Sequence, residues 1–182
     1  MLHLLTWVLI FIPAYPAAED VCSQRPDVTA LKNCCKLPNL DFSTYNSKCS
    51  QYLVNGVHIS PCSFECIFQA SKALNGTSLV MENIEKMLKV ILDSDKFVKV
   101  YVDGFRSCST QEKVMIRNLK RRRMPLTGKC SSMALMYALC AHRYFYRFCP
   151  DSVWSKSSVC NEAREYSIRC DDQLTGLPIK IK

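Results

Sequence analysis

The residues of this chain with the most distinctive chemistry are its twelve cysteines. Thiols form disulfides in oxidising compartments, whereas in the cytosol they more often bind metals or act as nucleophiles. Their even number predicts six disulfides, and the adjacent Cys34 and Cys35 are expected to take different partners. A zinc site is not expected, because Cys62 and Cys66 lack a second ligand pair. The twelve positions are Cys22, Cys34, Cys35, Cys49, Cys62, Cys66, Cys108, Cys130, Cys140, Cys149, Cys160 and Cys170.

The N-terminal residues 1–18 are typical of a secretory signal peptide. An apolar run from Leu4 to Ile12 is followed by Ala14, Ala17 and Ala18, a pattern of small residues near a cleavage site. A membrane anchor fits less well, because the run is much shorter than the roughly 20 residues that span a bilayer. We therefore expect a secreted, extracellular protein with a single domain over residues 19–182.

Enzyme motifs are absent from the sequence. Only His58 and His142 lie in the predicted mature chain, and it has no Gly-x-Ser-x-Gly elbow, no His-Glu-x-x-His and no Gly-rich phosphate loop. Secreted phospholipases A2 resemble the chain in being helical, basic and rich in disulfides. Those enzymes need a histidine four residues beyond their Cys-Cys pair, and none follows Cys34-Cys35. The sequence predicts no enzyme, no cofactor and no metal.

Apolar residues at three- and four-residue steps predict an all-α fold. Ser60-Pro61 is a helix start, Gly76 a helix end, and Ser78 a cap for the next helix. Residues 97–102 fit strand and helix patterns alike, and helix is favoured because the neighbouring segments are helical. Further helices are predicted over 111–119 and after Ser152 or Ser155. The Asn-, Ser- and Pro-rich residues 37–56 predict a loop.

The segment from Cys130 to Pro150 predicts the central helix of the fold. It is apolar over most of its circumference, which is typical of a helix buried on all sides. Pro150 is expected to end it, since proline cannot donate the backbone hydrogen bond and restricts the preceding residue.

The formal charge of +8 includes the run Lys120-Arg121-Arg122-Arg123. Behind a signal peptide, this run is interpreted as a solvated loop rather than a nucleic-acid site. A weak interaction with anionic membrane surfaces is the remaining functional option.

The cysteine spacing resembles that of insect odorant-binding proteins, and in particular of their Plus-C subclass. The matching pattern is Cys62-x3-Cys66, then 41 residues to Cys108, 21 to Cys130, nine to Cys140, eight to Cys149-Pro150 and nine to Cys160. Plus-C proteins carry extra cysteines and a proline directly after the sixth shared cysteine. The pattern covers nearly all of the predicted mature chain, while residues 1–61 and Cys170 match more loosely.

The resemblance implies a disulfide-stapled bundle of about six or more helices enclosing an apolar cavity. It also implies that six shared cysteines pair first with third, second with fifth and fourth with sixth. Carried onto this sequence, that gives Cys62–Cys140, Cys108–Cys149 and Cys66 with Cys34 or Cys35, of which Cys35 is favoured.

The function that the resemblance implies is an extracellular carrier of small hydrophobic molecules such as odorants. An odorant receptor or a second copy of the chain is a further expected partner, with no nucleic acid and no stable membrane insertion. The alternative is a disulfide-rich secreted interaction protein with a filled core. Asn75-Gly76-Thr77 is a candidate glycosylation site. Candidate lining residues combine apolar, aromatic and methionine side chains suited to an adaptable pocket: Phe68, Met81, Ile84, Leu88, Phe97, Tyr101, Phe105, Met133, Tyr137 and Phe145.

His142 is the candidate pH-sensitive group. It lies in the central helix beside Arg143, and protonating it would add charge next to the apolar space. The sequence predicts that ligand affinity falls between about pH 7 and pH 5. Asp171 and Asp172, which could tether the C-terminal tail as a lid, are the alternative cause.

Overall fold

The computed structural model of the protein describes Cys22 and residues 33–36, 38–53 and 59–170. The predicted signal peptide and the predicted C-terminal lid lie outside these residues. Within them the chain forms seven α-helices, one short 3-10 helix and a two-stranded antiparallel sheet, so the fold is mostly helical, as the sequence predicts. None of the helices in this described part is long and apolar enough to cross a membrane.

The described part of the chain contains ten elements. In chain order, they are the 3-10 helix Ser43–Tyr45, α1 (Asn46–Leu53), α2 (Pro61–Ala70), β1 (Leu74–Asn75), β2 (Ser78–Leu79), α3 (Met81–Ile91), α4 (Asp95–Ser109), α5 (Glu112–Arg121), α6 (Ser132–Arg147) and α7 (Ser158–Arg169).

Helix α6 is the central helix that the sequence predicts. It packs against α2, α4, α5 and α7. The Ser131 hydroxyl caps its first turn by accepting a hydrogen bond from the Met133 backbone N–H at 3.2 Å. The helix ends at Arg147, three residues before Pro150. Its first turn is buried on all sides, at Ser132, Met133, Ala134 and Leu135. Further along, the face with Tyr137, Ala141 and Phe145 is buried, while Arg143 is exposed.

Helix α4 resolves the ambiguity of residues 97–102, which are helical. It crosses α6 closely at Gly104. A Cβ atom at this position would lie 3.2 Å from the Ala141 carbonyl oxygen and 3.2 Å from the Tyr144 side chain. The absence of a side chain at Gly104 therefore allows the two helices to approach one another, and their contact forms the middle of the core.

Helix α2 begins as predicted, with a reciprocal cap at Ser60-Pro61. The Ser60 hydroxyl accepts a hydrogen bond from the Ser63 backbone N–H at 3.2 Å, and the Ser63 hydroxyl accepts one from the Ser60 N–H at 3.3 Å. Two N–H groups that the helix cannot pair internally are thereby satisfied.

A β-hairpin replaces the helix boundary predicted at Gly76. Helix α2 ends earlier, at Ala70, and Gly76 lies in the turn between the two strands with a φ of 63°, a conformation that glycine adopts readily. Ser78 is in strand β2 and does not cap α3, whose N-cap residue is Val80. The hydroxyls of Thr77 and Ser78 donate hydrogen bonds to the Glu112 carboxylate, which ties the hairpin to α5.

The loop predicted over residues 37–56 is wrong for residues 43–53. Residues from Ser43 to Leu53 form the 3-10 helix and α1, with Tyr45, Cys49 and Leu53 buried. These residues are mostly polar, so no periodic spacing of apolar residues predicts a helix here. The disulfide between Cys49 and Cys66 and the burial of three side chains stabilise it instead, which is a tertiary effect.

All twelve cysteines are paired, and the six disulfides fall into two groups. Three lie within the helical bundle: Cys49–Cys66, Cys62–Cys130 and Cys108–Cys140. The other three join the N-terminal segment to the C-terminal one: Cys22–Cys170, Cys34–Cys160 and Cys35–Cys149. Cys34 and Cys35 take different partners, as predicted.

The three predicted disulfide pairs, Cys62–Cys140, Cys108–Cys149 and Cys66 with Cys34 or Cys35, are wrong. Cys140 lies inside α6 where this helix contacts α4, so its partner is Cys108, 6.0 Å away between Cα atoms. Cys62, in the first turn of α2, reaches Cys130, two residues before α6.

Cys149 follows the end of α6 and lies close to residues 33–36, where it pairs with Cys35. This segment is held against the chain after α6 by two backbone hydrogen bonds. The Lys36 N–H donates to the Val153 carbonyl at 3.1 Å, and the Ser155 N–H donates to the Cys34 carbonyl at 2.7 Å. Residues 33–36 and the chain after α6 are therefore joined both by disulfides and by hydrogen bonds.

Candidate functional site

The predicted lining residues lie together in the structure. Nine of the ten belong to one continuous buried cluster, and the tenth, Met81, is half-buried against it. The cluster is built from four helices: Phe68 is on α2, Met81, Ile84 and Leu88 are on α3, Phe97, Tyr101 and Phe105 are on α4, and Met133, Tyr137 and Phe145 are on α6.

The aromatic members of this cluster contact one another. The Phe145 ring stacks on that of Tyr101 with centroids 4.8 Å apart and lies 5.7 Å from the Phe97 ring. The Phe68 and Phe105 rings are 5.9 Å apart. These are ordinary contact distances for aromatic pairs in a packed interior. The residues therefore form a filled core, and the apolar cavity that the resemblance implies is not shown.

His142 lies at the edge of this core. Its Nδ1 is 2.9 Å from the Tyr101 hydroxyl, and its ring meets the Tyr146 ring edge-on at 4.9 Å. Burial lowers the pKa of His142, and burial likewise raises the pKa of Tyr101. A neutral imidazole bonded to a neutral phenol is thus the form that the folded protein favours.

The depressed pKa of His142 predicts a loss of stability on acidification. Since the unfolded chain takes up this proton near pH 6.5 and the folded chain only at lower pH, the free energy of unfolding should fall as the pH decreases below about 6.5. One group contributes at most about 1.4 kcal/mol per pH unit. Urea denaturation at pH 7.5 and 5.5 should show a smaller pH effect for His142→Gln than for the parent. Equal pH effects in both proteins would show that another group is responsible.

A buried polar cluster joins the start of α2 to the start of α6, beside the Cys62–Cys130 disulfide. Ser63, Glu65, Ser131 and Ser132 are all buried. The Glu65 Oε1 atom accepts a hydrogen bond from the Gln69 side chain at 2.5 Å, while its Oε2 atom is buried without a hydrogen-bond partner. Burial raises the pKa of Glu65. Sequence patterns do not predict this cluster, because its residues gather only through the α2–α6 contact.

A groove lies between the end of α4, helix α5 and helix α6, with a volume of about 90 Å³. The Cys108–Cys140 disulfide forms part of its lining. None of the ten predicted lining residues contributes to it. Its other residues combine apolar and basic side chains from α5 and α6, including Met115, Asn118, Met136, Arg143, Tyr144 and Arg147. We call it the α4–α5–α6 groove.

Asn75 is exposed in the β-hairpin, where a glycan could be attached. The glycosylation of Asn75 stays a prediction. Among the described residues, no group of three or more His, Cys, Asp or Glu side chains is arranged to hold a metal ion.

Comparison with known proteins gives no assignment of family. No protein-family model matches the chain, and no curated protein matches it in sequence. A function for the protein is therefore inferred from its fold, its disulfides, the buried core cluster and the α4–α5–α6 groove.

Proposed function

We propose that the protein is an extracellular carrier that binds and solubilises small hydrophobic molecules such as odorants, in the manner of insect odorant-binding proteins. Six disulfides without a free thiol are typical of proteins that fold in an oxidising compartment. The observation that carries the proposal is the order of pairing within the bundle. In the set Cys49, Cys62, Cys66, Cys108, Cys130 and Cys140, the first cysteine pairs with the third, the second with the fifth and the fourth with the sixth.

This order is the one that the resemblance implies, on a different choice of cysteines from that made on sequence. Cys62, Cys66 and Cys108 keep their places as second, third and fourth members. The first is Cys49, and the fifth and sixth are Cys130 and Cys140. The remaining disulfides supply the extra cysteines of a Plus-C pattern. The proline departs from that pattern, because Pro150 follows Cys149, which lies outside the set of six.

The core has the composition that such a carrier needs. An apolar ligand gains about 25 cal/mol for each Å² removed from water, and methionine and aromatic side chains can rearrange around ligands of different shape. Helix α3 contributes Ile84, Met87, Leu88 and Ile91 to the core and contains no cysteine. No disulfide therefore anchors α3, and a ligand entering the core would displace this helix more easily than α2, α4 or α6.

Tyr137 adds a polar group to this apolar core. Its side chain is fully buried, and its hydroxyl has no hydrogen-bond partner. Burial, with a smaller contribution from the charge of Glu112, raises the pKa of Tyr137, so the hydroxyl stays protonated and able to donate. Since an unpaired buried hydroxyl is costly, a ligand oxygen that accepts from it would bind more tightly than a hydrocarbon of the same size.

Displacement of a fluorescent apolar probe by a broad panel of small organic molecules tests the proposal. We expect displacement by several members, with alcohols and ketones ahead of alkanes of equal length. Tyr137→Phe should remove that preference. Ile84→Ala, which enlarges the core at a fully buried position of α3, should change ligand affinity, whereas Val90→Ala, at a position 50% exposed on the same helix, should not.

The filled core favours one alternative, a secreted interaction protein that binds no small ligand. Lack of displacement by every member of the panel, with the parent protein folded, would support this alternative and contradict the carrier. Displacement that is insensitive to Ile84→Ala would place the ligand outside the core.

A further inference from the structure

The positive charge of the chain is concentrated in one segment. The sequence contains 24 Lys and Arg and 16 Asp and Glu. Residues 112–147 hold nine of these basic residues and one of the acidic ones. The rest of the chain carries fifteen of each and is therefore balanced. The whole formal excess therefore belongs to α5, the following turn and α6. Lys113, Arg117 and Lys120 lie exposed along α5, and Arg121 and Arg123 follow at its end.

The α4–α5–α6 groove opens within this basic segment. The Cys108–Cys140 disulfide fixes α4 to α6 on one side of it. Helix α5 forms the opposite wall, contains no cysteine and is held in the bundle through the buried side chains of Met115 and Leu119. A disulfide thus joins the helices on one side of the groove, and noncovalent contacts hold the helix on the other.

The groove lining is amphipathic. Met115, Met136 and Tyr144 give it an apolar surface, and Arg143 and Arg147 give it two guanidinium groups. The Tyr144 ring lies 4.3 Å from that of Phe148, which is 47% exposed, so the apolar surface continues outward. Guanidinium groups bind carboxylates through charge-assisted hydrogen bonds, and the thioethers of methionine adapt to hydrocarbon.

The apolar part of the groove lining is small. It consists mainly of Met115, Met136 and Tyr144, beside the two arginines. A short carboxylic acid can place its hydrocarbon chain on this surface, whereas the acyl chains of a membrane lipid would extend beyond it. Inorganic phosphate would leave the apolar lining without a partner.

We propose that the α4–α5–α6 groove binds a small amphipathic anion, with a carboxylate at Arg143 and Arg147 and a short hydrocarbon chain against Met115, Met136 and Tyr144. The surrounding basic segment raises the local concentration of such anions. This site shares no predicted lining residue with the core and goes beyond the proposed carrier function.

Titration of the folded protein with hexanoate and with 1-hexanol, followed by amide NMR shifts, tests the proposal. We expect hexanoate to bind at least about tenfold more tightly, since hydrogen bonds to charged groups are the stronger ones. The shifts should centre on Asn118, Met136 and Arg143. Binding should weaken as salt is raised.

Two variants locate the charge effect. Asn118→Asp places a carboxylate in the groove without altering either arginine, and it should weaken hexanoate binding about tenfold while leaving 1-hexanol unchanged. Arg143→Ser combined with Arg147→Ser should remove the preference for hexanoate. Arg106→Ser, at an exposed position of α4 outside the groove, is the matched control and should have no effect.

Three outcomes would overturn the groove proposal. One is equal affinity for hexanoate and 1-hexanol. Another is a set of shifts centred on core residues such as Ile84 and Phe145, which would leave the carrier function standing. The third is binding of vesicles that contain phosphatidylserine without binding of hexanoate, which would make the basic segment a membrane-facing surface.

Discussion

Replacing both Cys62 and Cys130 by alanine is expected to lower the free energy of unfolding by about 4 kcal/mol, within the range of about 2–5 kcal/mol for native disulfides of secreted domains. This disulfide joins residues 68 positions apart and connects the start of α2 to the chain just before α6. Its removal releases a long loop in the unfolded chain and loosens the buried polar cluster around Glu65 in the folded one.

Urea denaturation of the parent and the double variant measures the effect. The double variant Cys49→Ala, Cys66→Ala is a matched control, because its disulfide closes a loop of only 17 residues and should cost about 3 kcal/mol on the same entropic argument. A loss below about 1 kcal/mol for the Cys62 and Cys130 pair would contradict the assigned role of this disulfide.

Phe145→Ala is expected to destabilise the protein by about 3–5 kcal/mol, the usual cost of removing a buried aromatic side chain. Phe145 is fully buried on α6 and contacts the rings of Tyr101 and Phe97. Phe148→Ala, three residues further on at a position 47% exposed, should change the free energy of unfolding by no more than about 0.5 kcal/mol.

The same comparison bears on the proposed function. If the space around Phe145 is filled, truncation leaves a new cavity and the full cost is observed. A cost below about 1.5 kcal/mol would contradict the filled core and would indicate that open space already surrounds this ring. Equilibrium denaturation of the parent and of both alanine variants at one and the same pH measures these costs.

Much of the helical fold could be predicted because its causes are local. The Ser60-Pro61 cap, the apolar stripe of α3 and the apolar surface of α6 each depend on a few neighbouring residues. Helix α1 could not be predicted, since its residues are polar and its stability depends on the Cys49–Cys66 disulfide. The β-hairpin at Gly76 was missed because Asn-Gly is compatible with both a helix end and a tight turn.

The disulfide pairs were the least predictable feature. The sequence gives the spacing of cysteines but not which of them face one another, and Cys140-x8-Cys149 imitates the spacing that Cys130-x9-Cys140 provides. What separates the two choices is the end of α6 at Arg147. It leaves Cys140 inside the helix opposite α4, and it leaves Cys149 outside the helix, beside the N-terminal segment.

The core cluster and the α4–α5–α6 groove also differ in how far the sequence predicts them. The nine core residues among the ten predicted lining residues could be found from helical periodicity, because burial and periodicity have a common cause. Whether they surround a space depends on packing between four helices, which periodicity does not describe. The α4–α5–α6 groove was missed because Met115 on α5 and Arg143 on α6 come together only in the folded bundle. The clustering of positive charge within residues 112–147 was the one sequence signal that pointed to it.

Disulfide mapping is the most direct test of the account, because the proposed function rests on the order in which six cysteines pair. Digestion of the unreduced protein followed by mass spectrometry should yield linked peptides for Cys49–Cys66, Cys62–Cys130 and Cys108–Cys140, with no free thiol. Linked peptides for Cys62–Cys140 and Cys108–Cys149 would contradict both the described fold and the pairing on which the carrier proposal depends.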